Sequence, residues 1–380
     1  MPQNADTTYT VHVAITGQPL AQHIGRYMAE QIARIEADAG RNCYIEPDNE
    51  PNPYAGPAAC TEPITEPTLR CLDCGRELTL DNFKKHAGTK RGYNTLCNEC
   101  DSIYHAAKGF RVTERTFGVE IEFYSTHHRR STVVTRLQHA GINVYDAGYS
   151  QRTSDCWKMV SDGSLDYNGM ELVSPPLKGR AGLAELRKVC RVLKSCKATV
   201  NSSCGLHVHH DASDFTMPAW KSLIKLYGKH EADIDRLHPG SRSNGGYCRS
   251  LVSFCNNDIN NLFERVDAAH TVSDLEGVFY TRYVKVNVDA FRQHGTVEMR
   301  QHAGTLNFDK MAAWVCLTQG MVEAAVKGAR VSLKTKGGAD KLYATVKAQP
   351  KVRKFFRDRA ETLHPTTPAT PEPTHYDPTW

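Results

Sequence analysis

The chain has 380 residues, enough for one large domain or two to three smaller ones, and 40% of them are hydrophobic and 23% charged. This is an ordinary soluble composition. We expect no membrane span and no signal peptide, because the sequence has no apolar run of eighteen residues and no charged-then-apolar leader. The net charge of +5 conceals an asymmetry, since residues 1–67 carry −6 and the remainder +11. A positive body favours an anionic ligand such as a nucleotide or a polycarboxylate.

The thirteen cysteines are an odd number, and several fall at predicted core or helical positions, namely Cys190, Cys196 and Cys316. Disulfide frameworks need paired cysteines in an oxidising compartment. The pattern therefore predicts reduced thiols and a cytoplasmic location.

Composition divides the chain into segments. Residues 1–45 predict a small α/β adaptor, with a strand at 8–15, a helix at 18–38 and a short strand at 42–45. Residues 46–67 hold six prolines and predict an extended linker. Strand and helix signals alternate through 110–360, the predicted catalytic domain, and the Pro/Thr-rich segment 361–380 predicts a disordered tail.

Residues 68–108 carry the spacing of a zinc ribbon. Two C-x-x-C pairs, Cys71/Cys74 and Cys97/Cys100, stand 22 residues apart and offer a structural Zn²⁺ four thiolates. A segment of this size needs the metal to fold. Its net charge of about +2 favours protein docking over nucleic-acid contact, and both stay open. Similar ribbons precede phage-encoded nucleases and modifying enzymes, which favours a phage origin and the host cytoplasm.

Three strand-like segments each place two polar side chains two residues apart. A strand turns such residues to one face and sends the apolar residue between them into a core. Carboxylates and imidazoles gathered on one face make a divalent-metal site, and an arginine adds a fixed positive charge for an anion. The three pairs, which together favour phosphoryl chemistry on ATP, are Glu120/Glu122, His207/His209 and Glu298/Arg300.

Residues 113–325 resemble the amidoligase family, the carboxylate–amine ligases related to glutamine synthetase and γ-glutamylcysteine synthetase. The resemblance implies an α+β fold, a glutamine synthetase-like curved antiparallel sheet backed by helices. This agrees with helical periodicity at 180–197, 217–236 and 308–327. It rests on seven motifs in order: Phe117–Phe123, Asp162–Leu165, Glu171–Pro175, Cys204–His209, Tyr247–Cys248, Arg282–Asn287 and Thr296–Asn307.

The resemblance implies an ATP-dependent ligase that phosphorylates a carboxylate to an acyl phosphate, which an amine then attacks. Magnesium prefers oxygen ligands, and both steps gather negative charge that Mg²⁺ neutralises. The implied Mg²⁺ ligands are Glu120, Glu122, Glu171, Glu298 and His207. The implied catalytic set is Glu120, Glu122, His207, Glu298 and Arg300, with Arg300, His209, Asp162 and Ser164 as contacts for substrate or phosphate.

Two other classes stay open. The first is a metal-dependent hydrolase or nuclease that uses His207, His209 and Asp211 with Glu120/Glu122 and is targeted by the ribbon. The second is a cysteine acyltransferase using Cys204 and His207, which the spacing disfavours because two residues three apart on a strand lie on opposite faces. The carboxylate and amine substrates include glutamate-like γ-carboxylates, peptide side chains, polyamines and modified nucleobases of nucleic acid, and the ribbon favours a macromolecule.

Overall fold

The chain divides into two compact units, residues 1–97 and 98–380, and the boundary falls inside the segment predicted as a ribbon, 68–108. For residues 8–13, 19–25 and 43–47 the structure describes the backbone alone. The computed structural model describes residues 8–13, 19–25, 43–47, 67–71, 77–98, 101, 109–125, 127–149, 152–163, 165, 169–243 and 245–365.

The first unit contains a three-stranded antiparallel sheet in the order β2-β1-β3, formed by β1 (Thr8–Val13), β2 (Pro19–Gly25) and β3 (Cys43–Pro47). The strands predicted at 8–15 and 42–45 are confirmed. The helix predicted over 18–38 is wrong at β2, because apolar residues four apart, Leu20 and Ile24, fit the even spacing of a strand as well as a helical turn. The rest of that predicted helix lies outside the described residues.

The ribbon segment begins with a two-stranded sheet, β4 (Thr68–Arg70) and β5 (Glu77–Thr79), followed by a 3₁₀ turn at Leu80–Asn82. Cys71 and Cys97 are buried, and the Cys97 backbone N–H donates to Cys71 Sγ at 3.3 Å. Cys74 and Cys100, like most of the predicted linker 46–67, lie outside the described residues. Cys71 of the first predicted pair therefore contacts Cys97 of the second pair. The zinc site stays a prediction.

The second unit is built on a seven-stranded sheet in the order β11-β12-β10-β6-β9-β8-β7, so the predicted α+β class is confirmed. All neighbouring strands are antiparallel except β7 and β8, which makes the sheet mixed at one edge. The strands are β6 (Phe117–Tyr124), β7 (Val144–Gly148), β8 (Trp157–Val160), β9 (Gly169–Val173), β10 (Gly205–Asp211), β11 (Val286–Asn287) and β12 (Thr296–Ala303).

Ten described helices accompany the sheet, and the three predicted helical stretches are confirmed, the second of them divided in two at His230. Within the described residues no helix has both the length and the hydrophobicity to cross a bilayer. The helices are α1 (Arg130–His139), α2 (Gly179–Ser195), α3 (Met217–Lys229), α4 (Glu231–Asp235), α5 (Ile259–Ala268), α6 (Val272–Phe279), α7 (Ala290–His294), α8 (Phe308–Val326), α9 (Ala339–Thr345) and α10 (Pro350–Leu363).

Helix α10 corrects the start of the predicted tail. It runs to Leu363, beyond the expected boundary at 360, because Val352 and Phe356 are buried and anchor it to the core. Proline at its first position suits a helix start, where the missing N–H has no intrahelical acceptor. Residues 366–380 lie outside the described part.

The apolar residues that alternate with the polar pairs hold the central strands in register. They are fully buried in the core that also contains Trp314 of α8, and burial of one such side chain stabilises the fold by about 1.5–3 kcal/mol. A slip of one residue would turn them to the opposite face, so they fix which way the polar residues point. These core residues are Val119, Ile121, Leu206, Val208, Val297 and Met299.

Candidate active site

The register of the sheet collects the predicted polar pairs on one face. Residues directly opposite each other on antiparallel strands have neighbouring side chains on the same side of the sheet. The opposed pairs are Glu120 with His207 across β6 and β10, Glu122 with Glu171 across β6 and β9, and His209 with Glu298 across β10 and β12.

His207 lies at the centre of this face and is 5% exposed. Its Nδ1 lies 2.8 Å from Glu120 Oε2 and 3.5 Å from Glu298 Oε1, whereas its Nε2 lies 3.8 Å from Glu122 Oε1. The two ring nitrogens therefore face different carboxylates. Two groups of three result, each with possible ligand atoms within 4.8 Å of one another: Glu120, His207 and Glu298, and Glu122, Glu171 and His207.

Two of the carboxylates are held in the charged form. Burial alone would raise the pKa of Glu120, but hydrogen bonds and charge from His207 and His209 bring that pKa well below its ordinary value. Burial opposes ionisation of Glu298 as well, but the positive charges of Arg300, His209 and His207 together outweigh it and lower the pKa of Glu298. Negative charge on this face therefore persists at neutral pH.

Glu171 has the opposite environment. Burial, followed by the charges of Glu120 and Glu122, raises the pKa of Glu171 well above its ordinary value. Within the described residues no hydrogen bond or ion pair reaches its carboxylate. A buried carboxylate beside others costs free energy unless a cation compensates it, so this donor set fits a bound divalent metal.

Neighbouring groups orient the candidate ligands. Arg300 Nη1 donates to Glu298 Oε1 at 2.5 Å and Asn287 Nδ2 donates to Glu298 Oε2 at 2.7 Å. The backbone N–H of Gly205 donates to Glu122 Oε2 at 2.5 Å. A Cβ at Gly205 would stand 2.8 Å from His207 Nε2, so any other residue there would have to displace the His207 ring. Contacts of this kind fix the direction in which a carboxylate presents its remaining lone pairs.

His209 is the second imidazole of the site. Its Nδ1 lies 2.9 Å from Thr296 Oγ1, and its Nε2 lies 3.3 Å from Glu120 Oε1. Burial lowers the pKa of His209, but the hydrogen bond and charge of Glu120 outweigh it, and the net shift is upward. His209 is therefore a neighbour of Glu120, whereas His207 alone belongs to both groups of possible ligands.

A pocket of about 390 Å³ opens over this face. It is lined by Glu120, Glu171, Glu298, His207, His209 and Arg300, and also by Asp162 and three further cations, Arg152, Lys158 and Arg282. Glu122 is buried beneath it, and Ser164 lies outside the described residues. The pocket thus sets carboxylates that suit a metal beside guanidinium and ammonium groups that suit an anion.

Sequence reasoning missed two residues of this site. Lys158 of β8 is 3% exposed and lies opposite Val173 of β9, which is itself opposite Glu120. Its only sequence signal is a single lysine in an apolar strand. Asn287 stands inside a recognised motif, but its contact with Glu298 depends on the pairing of β11 with β12.

Cys204 does not resemble a nucleophile. It is buried, and burial raises the pKa of its thiol, which disfavours the reactive thiolate. This finding weighs against the cysteine acyltransferase.

A family model described as "Putative amidoligase enzyme" matches residues 113–322 of this chain. The chain belongs to that family. Membership confirms the recognised resemblance and, in general terms, a carboxylate–amine ligase. Comparison with curated proteins gave no match. Among solved structures, one titled as a novel glutamine synthase homolog is similar, with 10% identity, a TM-score of 0.34 and coverage of 71% of this chain and 72% of that one.

Proposed function

We propose that this amidoligase is an ATP-dependent ligase that joins a carboxylate to an amine through an acyl phosphate. The observation that carries the proposal is the position of His207 between two groups of carboxylates, one of which contains the Glu298–Arg300 pair. Amide formation in water is uphill, and transfer of a phosphoryl group to the carboxylate supplies the driving force. The γ-carboxylate of a glutamate-like molecule and a peptide side chain are both candidate acids.

Two groups of residues would hold Mg²⁺: Glu120, His207 and Glu298, and Glu122, Glu171 and His207. Their four carboxylates supply the oxygen ligands that magnesium prefers. Bound there, the metal would neutralise phosphate charge and polarise the phosphoryl oxygens. The low pKa of Glu120 and of Glu298 keeps these two residues ready as anionic ligands at neutral pH.

Arg300 is proposed to hold the anion that reacts. Its Nη1 is engaged by Glu298 and its Nε donates to the Tyr247 carbonyl at 3.3 Å, so the guanidinium plane is fixed against the pocket wall. A fixed planar fork can contact two oxygens of a carboxylate or phosphoryl group. Lys158 is a second buried cation and lies on the β8 side of Glu120. It would balance the negative charge that gathers during phosphoryl transfer.

The decisive test uses isotope transfer. Purified protein is screened with ATP, Mg²⁺ and pools of acids and amines for ADP release, and active pairs are repeated with the carboxylate labelled with oxygen-18. The acyl-phosphate route moves one labelled oxygen into inorganic phosphate and gives a product lighter than the summed substrates by one water. Release of AMP and pyrophosphate would contradict this route, and hydrolysis without ATP would favour the metal-dependent hydrolase.

A further inference from the structure

The ribbon segment carries a second concentration of charge, at residues that are not among those assigned to the ligase site. Residues 82–98 contain four Lys/Arg, namely Lys84, Lys85, Lys90 and Arg91, and no Asp or Glu. The net charge of about +2 over the whole predicted ribbon conceals this, because the acidic residues lie on either side of the run.

The basic residues lie on an ordered hairpin, residues 84–94, called here the basic hairpin. Lys85 pairs with Tyr93 across it, His86 N–H donates to the Gly92 carbonyl, and Asn94 N–H donates to the Lys84 carbonyl, both at 2.8 Å. Gly92 has a positive φ of 74°, which glycine adopts readily and which lets the chain reverse. Hydrogen bonds thus fix the shape of the hairpin.

The lysines of the basic hairpin face solvent. Lys84, Lys85 and Lys90 are exposed, and in the described part of the chain neither Lys85 nor Lys90 forms an ion pair. Arg91 is half-buried, lies over the Phe83 ring and donates to the Asn94 carbonyl at 2.6 Å. Phe83, which directly precedes the hairpin, is itself buried.

The chemistry of this surface suits phosphate better than protein. Protein interfaces are enriched in large apolar and aromatic residues and depleted in lysine. The large hydrophobic side chains exposed in the described residues all lie elsewhere in the chain. The hairpin instead offers lysines beside Asn94, whose side-chain type contacts phosphate oxygens.

From this charge and shape we infer that the basic hairpin binds duplex DNA through backbone phosphates, independently of base sequence. The two arms of the hairpin are paired at Lys85 and Tyr93, and paired residues lie about 5 Å apart, so the hairpin is narrow enough for the major groove of B-DNA, which is about 12 Å wide. The major groove of duplex RNA is deep and narrow and excludes a hairpin of this width. None of the hairpin lysines is assigned to the ligase site, so DNA binding by the hairpin does not depend on the proposed reaction.

Fluorescence anisotropy of the full-length protein with a labelled duplex of about 20 base pairs, between about 50 and 200 mM salt, tests the inference. Lys85→Gln/Lys90→Gln should weaken binding by roughly 50-fold near 0.1 M salt and reduce the slope of log K against log salt by about 2. The matched control, Lys334→Gln/Lys336→Gln, removes two exposed lysines elsewhere and should bind as the wild type does. Lys85→Arg/Lys90→Arg keeps the charge and should retain binding.

Three outcomes would overturn the inference. They are no binding of duplex DNA at the lowest salt, equal losses in the hairpin variant and its control, and equal or tighter binding of a duplex RNA of the same length. Because both hairpin lysines are exposed, an unchanged thermal midpoint in the variant verifies that it is folded. ADP release, measured separately, reports on the ligase site alone.

Discussion

Asn287 and Glu298 face each other across β11 and β12, and Asn287 Nδ2 donates to Glu298 Oε2 at 2.7 Å. With Arg300 on the other oxygen, both oxygens of a candidate metal ligand are oriented by the protein. Asn287→Ala should therefore raise the Mg²⁺ concentration needed for half-maximal ADP release by about 10–100-fold. Gln293→Ala changes an exposed residue of the pocket and should leave the required Mg²⁺ concentration nearly unchanged. Equal Mg²⁺ dependence in the two variants would contradict this role.

Replacing a candidate ligand by its amide keeps its size and removes one negative charge. Glu120→Gln, Glu122→Gln and Glu298→Gln should each lower turnover by 10²-fold or more, about 3 kcal/mol of lost transition-state stabilisation. Glu114→Gln, at an exposed carboxylate, serves as the control. Wild-type ADP release in Glu122→Gln would end the assignment of the second metal group.

Arg300 and the two histidines separate the ligase from the hydrolase. Arg300→Lys should be severe, because a point charge cannot reproduce a planar guanidinium that contacts two oxygens, whereas Arg330→Lys on the exposed surface should be neutral. His207→Ala should cost more turnover than His209→Ala, since only His207 belongs to both ligand groups. In a metal-dependent hydrolase the two histidines would matter most for turnover and Arg300 would be nearly dispensable. Wild-type rates in Arg300→Lys would therefore favour the hydrolase.

Much of this site follows from the sequence because strand geometry is regular. Glu120, His207 and Glu298 each stand in an alternating strand, and their burial on one face needs only the correct register. Lys158 and Asn287 could not be found in this way, because each is a single polar residue whose neighbours depend on which strands pair. The β2 strand was missed for a related reason, since its apolar spacing fits two periods and only pairing with β1 decides between them.

Replacing Glu171 by glutamine should raise the stability of the metal-free protein and lower its turnover. Its folded-state pKa lies above the unfolded value, so between the two pKa values the folded protein holds more protons and its stability falls as pH rises. In metal-free protein at neutral pH, Glu171→Gln should raise the thermal midpoint, and saturating Mg²⁺ should stabilise the wild type more than the variant. Turnover should fall. Calorimetry in the presence of a chelator measures the direction in which the thermal midpoint shifts, and Glu264→Gln, at an exposed carboxylate, is the control. A lower midpoint in Glu171→Gln than in the wild type would contradict the prediction.

The ribbon should hold one structural zinc ion per chain. Cys71 and Cys97 already meet, and the N–H of Cys97 donates to Cys71 Sγ, a bond that favours the thiolate a metal needs. Elemental analysis of purified protein should give one zinc, and Cys71→Ser/Cys97→Ser should lose it. The buried Cys190→Ser change in the other unit should keep the zinc while lowering the thermal midpoint. Because so short a segment has little core of its own, chelation should abolish the dispersed amide NMR signals of residues 77–98. A fully folded ribbon in zinc-free protein would refute the site.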